Sequence, residues 1–538
     1  MSGVMVFNME ADVLVLGTGG AGLRAAIEAE ARGASVVVVS KAPAGMNNAT
    51  VVAGGGFRAA VEGLTPEEHF KDTITVGKGI NDRRLVEVLA YEGGMRVMEL
   101  RRFGVEMRIR RGGVSVGDIP TLMGLGLTKP LVDYARSRGV RFLENVIVTR
   151  LVTDGGAVAG AVGYDVYHDQ PVVVSAKATV LATGGAAALY ERSDCPLRTT
   201  GDGYSLAYEA GARLRDMEFV QFFPLALAEP GAPPFLVGGP VSEEGRIINS
   251  LGEEIPEKHG ITARPLVLKS RDLLSRTIMI EVLEGRGVDG AVLLDAREVL
   301  RRRGEEGLFT TGRYAFFLDR LKATERPLRV APICHFCMGG VVIDEHGDTG
   351  VPGLFAAGEV VGGVHGANRH GGNALTEITV FGARAGAAAA EYAKGLSRVS
   401  IESAAAPELE GYEAIRGREP GTGNPGALMR RLRETMWLKA GVVRDEAGLK
   451  EALAEIAELK GLLPALYASS GRMMLEALEA PMALETAELI CRAALERTES
   501  RGAHYRVDHP EEDDGRWLRT VVISRGVDGD VELAAEPI

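Results

Sequence analysis

Residues 11–29 read Ala11-Asp-Val-Leu-Val-Leu-Gly17-Thr-Gly19-Gly20-Ala21-Gly22-Leu-Arg-Ala-Ala-Ile-Glu-Ala. A short apolar run closed by glycine has the pattern of a strand buried on both faces. The alanine-rich stretch behind it predicts a helix, and Ser35-Val-Val-Val-Val-Ser40 predicts the next strand. Together they make a βαβ unit with Gly17-x-Gly19-x-x-Gly22 at the strand-to-helix turn, the context in which this fingerprint binds a dinucleotide. Glycine lets the backbone turn tightly and approach a pyrophosphate, while the helix start offers unpaired N–H groups. Gly17, Gly19, Gly20, Ala21 and Gly22 are therefore candidate cofactor contacts. A carboxylate often ends the second strand to hold a ribose; here Ser40 and Lys41 stand there instead, and both join the candidate set.

Two further strand tips decide between dinucleotides. Val180-Leu-Ala-Thr183-Gly184-Gly185 and Gly353-Leu-Phe-Ala-Ala-Gly358-Glu359 each end an apolar run in small residues. Near them lie Thr200-Gly-Asp202-Gly and Gly362-Gly-Val-His-Gly-Ala-Asn-Arg369-His370-Gly-Gly-Asn373-Ala-Leu375. Several strand tips converging on one elongated ligand supply more backbone contact than NAD needs, and fit FAD. Thr183, Gly184, Asp202, Gly358, Glu359, Asn373 and Leu375 are the candidate contacts on this side. The fold class is α/β.

Composition removes other readings. The 538 residues are 46% apolar and 25% charged, enough for a large core divided among three or four units. The formal net charge of −12 argues against nucleic acid or an anionic membrane as partner. Four cysteines cannot form a disulfide framework and suit a reducing compartment. No apolar run reaches membrane-spanning length and no leader pattern opens the chain, so a cytoplasmic protein is expected. The 70 glycines are clustered at turns rather than periodic.

Past residue 218 the character changes. Residues 219–330 are rich in proline, glycine and charge and then helical around Arg271–Gly285, which reads as an insert. From about 396 apolar residues recur at helical spacing, as in Leu449–Leu459, and the chain ends in a hairpin turning near Gly526–Gly529. The expected division is 1–218 and 331–395 for two blocks of a cofactor domain, 219–330 for a capping domain, and 396–538 for a helical domain.

The chain resembles the flavoprotein subunits of succinate dehydrogenase and fumarate reductase and L-aspartate oxidase. The motifs carrying the resemblance are Ser270-Arg-Asp-Leu-Leu-Ser-Arg276, His335-Phe-Cys-Met-Gly-Gly340, Val364-His-Gly-Ala-Asn-Arg369-His-Gly-Gly-Asn373, Gly441-Val-Val-Arg444 and Glu499-Ser-Arg-Gly-Ala-His504-Tyr-Arg506-Val-Asp508. It implies a Rossmann-like FAD domain in two blocks, an inserted α+β capping domain and a C-terminal helical domain. It also implies hydride transfer between flavin N5 and an alkene carbon beside a carboxylate. Arg369 matches the carboxylate-binding arginine and His335 the substrate-binding histidine. Many members tether FAD through a histidine; the matching stretch is Asn47-Asn48-Ala49-Thr50-Val-Val-Ala-Gly54-Gly55-Gly56, with Ala49 at that position. A noncovalent FAD is expected, contacted by Asn48, Thr50 and Gly54–Gly56.

The capping segment departs from the pattern. Phe223 and Leu225 stand where the family has histidine and threonine, and Val241 aligns with the proton-transferring arginine. A substrate less polar than fumarate at that end is expected, with Glu243, Glu244, Arg246 and Arg264 as candidate substitute donors, though solvated charge is the plainer reading of each. His370, after Arg369, replaces a usually apolar residue and is a third candidate catalytic group. Cys334 and Cys337 form Cys-x-x-Cys, a redox pair or two packed core residues; no metal site is expected. Two functions stand: an FAD enzyme acting on a carboxylate-bearing alkene or its saturated form, or an electron-transfer subunit with a decayed site beside an iron–sulfur partner.

Overall fold

Parallel pairing of Phe7–Leu16 with Val36–Ser40 on one side and Gln170–Leu181 on the other builds the centre of a seven-stranded sheet. Arg141–Glu144 extends it beyond Val36–Ser40, and Leu354–Ala356 pairs with the end of Gln170–Leu181. Two antiparallel strands, Ala157–Asp165 and Val146–Asp154, complete it. The computed structural model describes residues 6–119, 122–303, 320–398, 400–419, 423–469 and 471–538. The valines of 36–39 and the apolar residues of 13–16 are buried on both faces, as helices on either side of a parallel sheet require.

Helix Gly20–Ala31 follows the first strand and packs along the 21-residue helix Asn373–Ala393. Glycine permits the approach: a Cβ at Gly386 would lie 2.2 Å from the Ala25 carbonyl oxygen, and one at Gly382 would lie 2.7 Å from that of Ala21. Gly22 acts in the same way. Its Cβ would meet the Gly17 carbonyl at 2.0 Å, so this fingerprint glycine closes strand against helix.

The insert has its own antiparallel sheet, ordered Val220–Leu227, Leu328–Cys337, Val292–Asp295, Arg246–Ile248, so its second strand runs past the expected boundary at 330. Phe223, Leu225, Val241, Ile278, Leu294 and Ile333 belong to a hydrophobic cluster separate from the main core. Residues 304–319 of the expected insert lie outside the described residues. The expected helical stretch is Arg271–Glu281, followed by a wide turn over Val282–Arg286. Helices Pro425–Lys439, Glu446–Leu462 and Gly471–Glu496 pack together, and strands Arg519–Arg525 and Val531–Pro537 form the terminal hairpin. No helix among the described residues is long and apolar enough to cross a membrane.

Candidate active site

A cavity of about 780 Å³ runs from the glycine turn after the first strand to the underside of the insert. Gly17, Gly19, Gly20 and Ala21 line one end, with Ser40, Lys41, Asn48, Thr50 and Gly54–Gly56; Thr183, Gly184, Asp202, Gly358, Glu359 and Leu375 face them. Gly22 and Asn373 do not line it. Asn373 is fully buried and holds the helix Pro66–Val76, donating to Thr73 Oγ1 and lying 2.9 Å from His69 Nε2.

This end suits a dinucleotide. A Cβ at Gly54 or Gly56 would meet nothing within 4 Å, so both leave space where a side chain would intrude. The Thr183 hydroxyl is buried without a partner; at the helix start the Gly20 N–H donates to Thr50 Oγ1 at 3.1 Å, and with no side-chain cap from the N-cap residue the next N–H groups are left for an anion. Ser40 Oγ accepts from Thr18 Oγ1 at 2.9 Å. Lys41 Nζ is held by Asp202 and Glu479, each at 2.8 Å. Both carboxylates raise the ammonium's pKa above its ordinary value, against the opposing effect of burial.

The other end is cationic. Arg369 Nη2 donates to Gln221 Oε1 at 3.2 Å, and Arg271 Nη1 donates to the same oxygen at 3.0 Å. Gln221 is fixed in turn, its amide donating to Asn368 Oδ1 at 2.6 Å and to the Arg369 carbonyl. Arg369 stacks over Phe336 at 4.5 Å and Arg271 over Phe223 at 5.2 Å. Neither guanidinium has a carboxylate partner among the described residues, and each Nε is buried without a hydrogen bond. Burial, and for Arg369 the neighbouring Arg271, lower their pKa values to about 9 and about 10 respectively. Two desolvated cations with no carboxylate bonded to either among the described residues form a site for an anion.

His335 also lines this end, its Nδ1–H donating to Asp194 Oδ2 at 2.7 Å. Burial lowers its pKa below the ordinary value, with Asp194 opposing. His370 lines the cavity too; its Nδ1–H donates to the Gly371 carbonyl at 2.9 Å, and burial lowers its pKa to about 4. The remaining wall is apolar: Phe223, Leu236 and Leu268.

The structure corrects two expectations about the insert. Val241 lies on the short helix Pro240–Glu244 and is fully buried in the insert's own core. The lid does carry an arginine, Arg271, which the first turn of helix Arg271–Glu281 turns into the cavity. The signal stood in the 270–276 motif, but nothing local joins that motif to the glycine-rich segment thirty residues earlier. Leu225 likewise points into the insert's core and does not line the cavity. The register shifts between Phe223 and Ala226, across Pro224, so Leu225 does not follow Phe223 to the same face. Leu236 and Leu268 take its place. The substitute donors are engaged elsewhere: Glu243 accepts from the N–H groups of Leu266 and Val267, Glu244 pairs with Arg302, Arg246 pairs with Glu254, and Arg264 caps carbonyls.

Cys334 and Cys337 are buried on strand Leu328–Cys337. Three residues along a strand span about 10 Å, beyond the roughly 7 Å Cα separation a disulfide tolerates. They pack. Among the described residues no group of His, Cys, Asp or Glu side chains could hold a metal ion.

Residues 12–375 match the FAD binding domain family, and 429–538 match the fumarate reductase flavoprotein C-terminal family. The chain is 37% identical to one of the subunits of the fumarate reductase (CoM/CoB) of Methanothermobacter marburgensis, over 96% of this chain and 97% of that one. It is 34% identical to L-aspartate oxidase of Streptomyces coelicolor, over 95% and 91%. Mycobacterium smegmatis Sdh1, solved in complex with UQ1, superposes with a TM-score of 0.86 at 33% identity, over 99% of this chain and 95% of that one. With the glycine-lined cavity in one match and the helical domain in the other, the chain belongs to the FAD-dependent oxidoreductases of the fumarate reductase and succinate dehydrogenase flavoprotein family.

Proposed function

We propose that this enzyme interconverts a carboxylate-bearing alkene and its saturated form, on a substrate carrying an apolar group where fumarate carries its second carboxylate. The observation behind this reading is the pair of guanidiniums, Arg271 and Arg369, meeting at Gln221 Oε1 with no carboxylate bonded to either among the described residues and opposite an apolar wall. When bound, FAD supplies the hydride chemistry, exchanging two electrons and one hydrogen with a carbon of the double bond. The chain's own residues do the rest. Arg369 grips the substrate carboxylate, and its charge stabilises the enolate character that builds up as the double bond is attacked. Arg271 carries the proton exchanged at the neighbouring carbon; a guanidinium pushed down to about 10 is a better donor than one in water. Phe223, Leu236 and Leu268 exclude water and favour an alkyl or aryl substituent, because a polar group buried there would lose its hydration without a partner.

Anaerobic reduction of the holoenzyme followed by mixing with enoates tests the assignment. Cinnamate or a branched enoate should reoxidise the flavin faster than fumarate, and R369K should slow reoxidation at least tenfold while FAD stays bound. Faster reoxidation by fumarate would overturn it.

The Methanothermobacter relative is one subunit of its enzyme, and this chain has only four cysteines, three of them buried. We therefore infer that a separate iron–sulfur polypeptide is the electron partner. Isolation from its native source should bring down a cysteine-rich polypeptide; a lone chain that exchanges electrons at full rate would refute this. The paired arginines speak against a decayed substrate site.

A further inference from the structure

Among the described residues, one acid lines the substrate end of the cavity with no arginine or lysine bonded to it. Asp194 sits on the loop between Tyr190 and Thr200, its backbone N–H donating to the Cys334 carbonyl at 3.2 Å and its Oδ2 accepting from His335 Nδ1 at 2.7 Å. The other two lining acids are committed: Asp202 to Lys41 at 2.8 Å, and Glu359 to the Cys337 N–H at 3.0 Å. Asp194 also acts electrostatically on both Arg271 and Arg369. We propose that Asp194 determines the charge of the accepted substrate: set against two arginines and bonded to His335, it leaves a site matched to one carboxylate and hostile to two.

Two effects act together. Glu359 also acts on Arg369, and burial pushes its pKa up to about 7; with Glu359 protonated, two guanidiniums less the Asp194 carboxylate leave a single uncompensated positive charge, which one substrate carboxylate cancels, and a second would be buried without a counter-charge. Asp194 also occupies the Nδ1–H of His335, so the neutral ring presents the Nε2 lone pair to the cavity. A lone pair repels a carboxylate oxygen, whereas an Nε2–H would bind it. Asp194 acts through these groups as a specificity-determining residue, and the inference rests on the enoate reading above.

Malonate and acetate isolate the charge effect, since they differ by one carboxylate and neither has a CH–CH bond to oxidise. Their dissociation constants are measured on the oxidised holoenzyme from the flavin absorbance change. Wild type should prefer acetate. In D194N, and in D194S as a second neutral variant, the malonate-to-acetate Kd ratio should fall at least tenfold, as expected for removing a like charge at short range; D194E should restore it. The FAD-to-protein ratio confirms that each variant is folded. If neither acid perturbs the wild-type flavin, the carboxylate-site reading itself fails. If both bind and the ratio stays within twofold of wild type in D194N and D194S, that reading survives and the role of Asp194 is overturned.

Discussion

Ala49 bears on how the cofactor is held. It lines the cavity at the position that the resemblance to flavin-tethering relatives gives to a histidine, and a methyl group forms no such bond. Precipitating the holoenzyme in acid should release all the yellow colour to the supernatant; flavin remaining on the polypeptide would contradict a noncovalent site. The contrast between Arg369 and its neighbours shows what single residues reveal. Arg369 and the glycines of 17–20 are legible in the sequence because each sits inside a contiguous motif whose chemistry is local. Gln221 and Asp194 are not, and Arg271 stands in a motif that does not show its use, because each gains its role only when a strand of the insert, a loop and a helix start meet around one anion site. Val241 shows the converse error: spacing along a motif names a position, and a short helix turns that position away.

Between elements, the tight contact is that of helix Gly20–Ala31 with helix Asn373–Ala393. Its small residues are visible in the sequence as a good helix, but their purpose is not, since the partner lies over 350 positions away. G386A adds one methyl group 2.2 Å from the Ala25 carbonyl. Overpacking of this kind costs about 1–3 kcal/mol, so the variant should melt at a lower temperature than wild type and lose FAD more readily, because the displaced helix carries the cofactor turn. An unchanged Tm would mean that the two helices separate without cost. Strands are legible where runs are apolar throughout, as at 13–16 and 36–39. The antiparallel pair Val146–Asp154 and Ala157–Asp165 is not, since Ala157–Asp165 is buried almost throughout with small residues, Val146–Asp154 is buried in pairs, and two register shifts interrupt the pairing, which leaves no clear period-two signal.

Across the whole molecule, buried charge couples stability to pH. Glu377 is buried on helix Asn373–Ala393, one oxygen accepting from the Gly358 N–H at 3.1 Å and the other unpartnered. Burial raises its pKa from 4.5 to about 8. The folded protein therefore keeps this proton up to about pH 8, while the unfolded chain releases it near 4.5. The stability that Glu377 contributes is complete below 4.5 and is lost as pH rises through 8. E377Q, which keeps the shape and removes the titration, should flatten the fall in Tm between about pH 5 and about pH 9; a slope equal to that of wild type would rule Glu377 out as its source. A different consequence follows from Lys41, whose ammonium is gripped by Glu479 from a helix 438 positions further along the chain. Synthesis runs from the N-terminus, so the nucleotide-facing wall stays unfinished until the last helices have left the ribosome. Tight capture of flavin is then an event of the completed polypeptide, and nascent chains arrested before residue 471 should let the cofactor go.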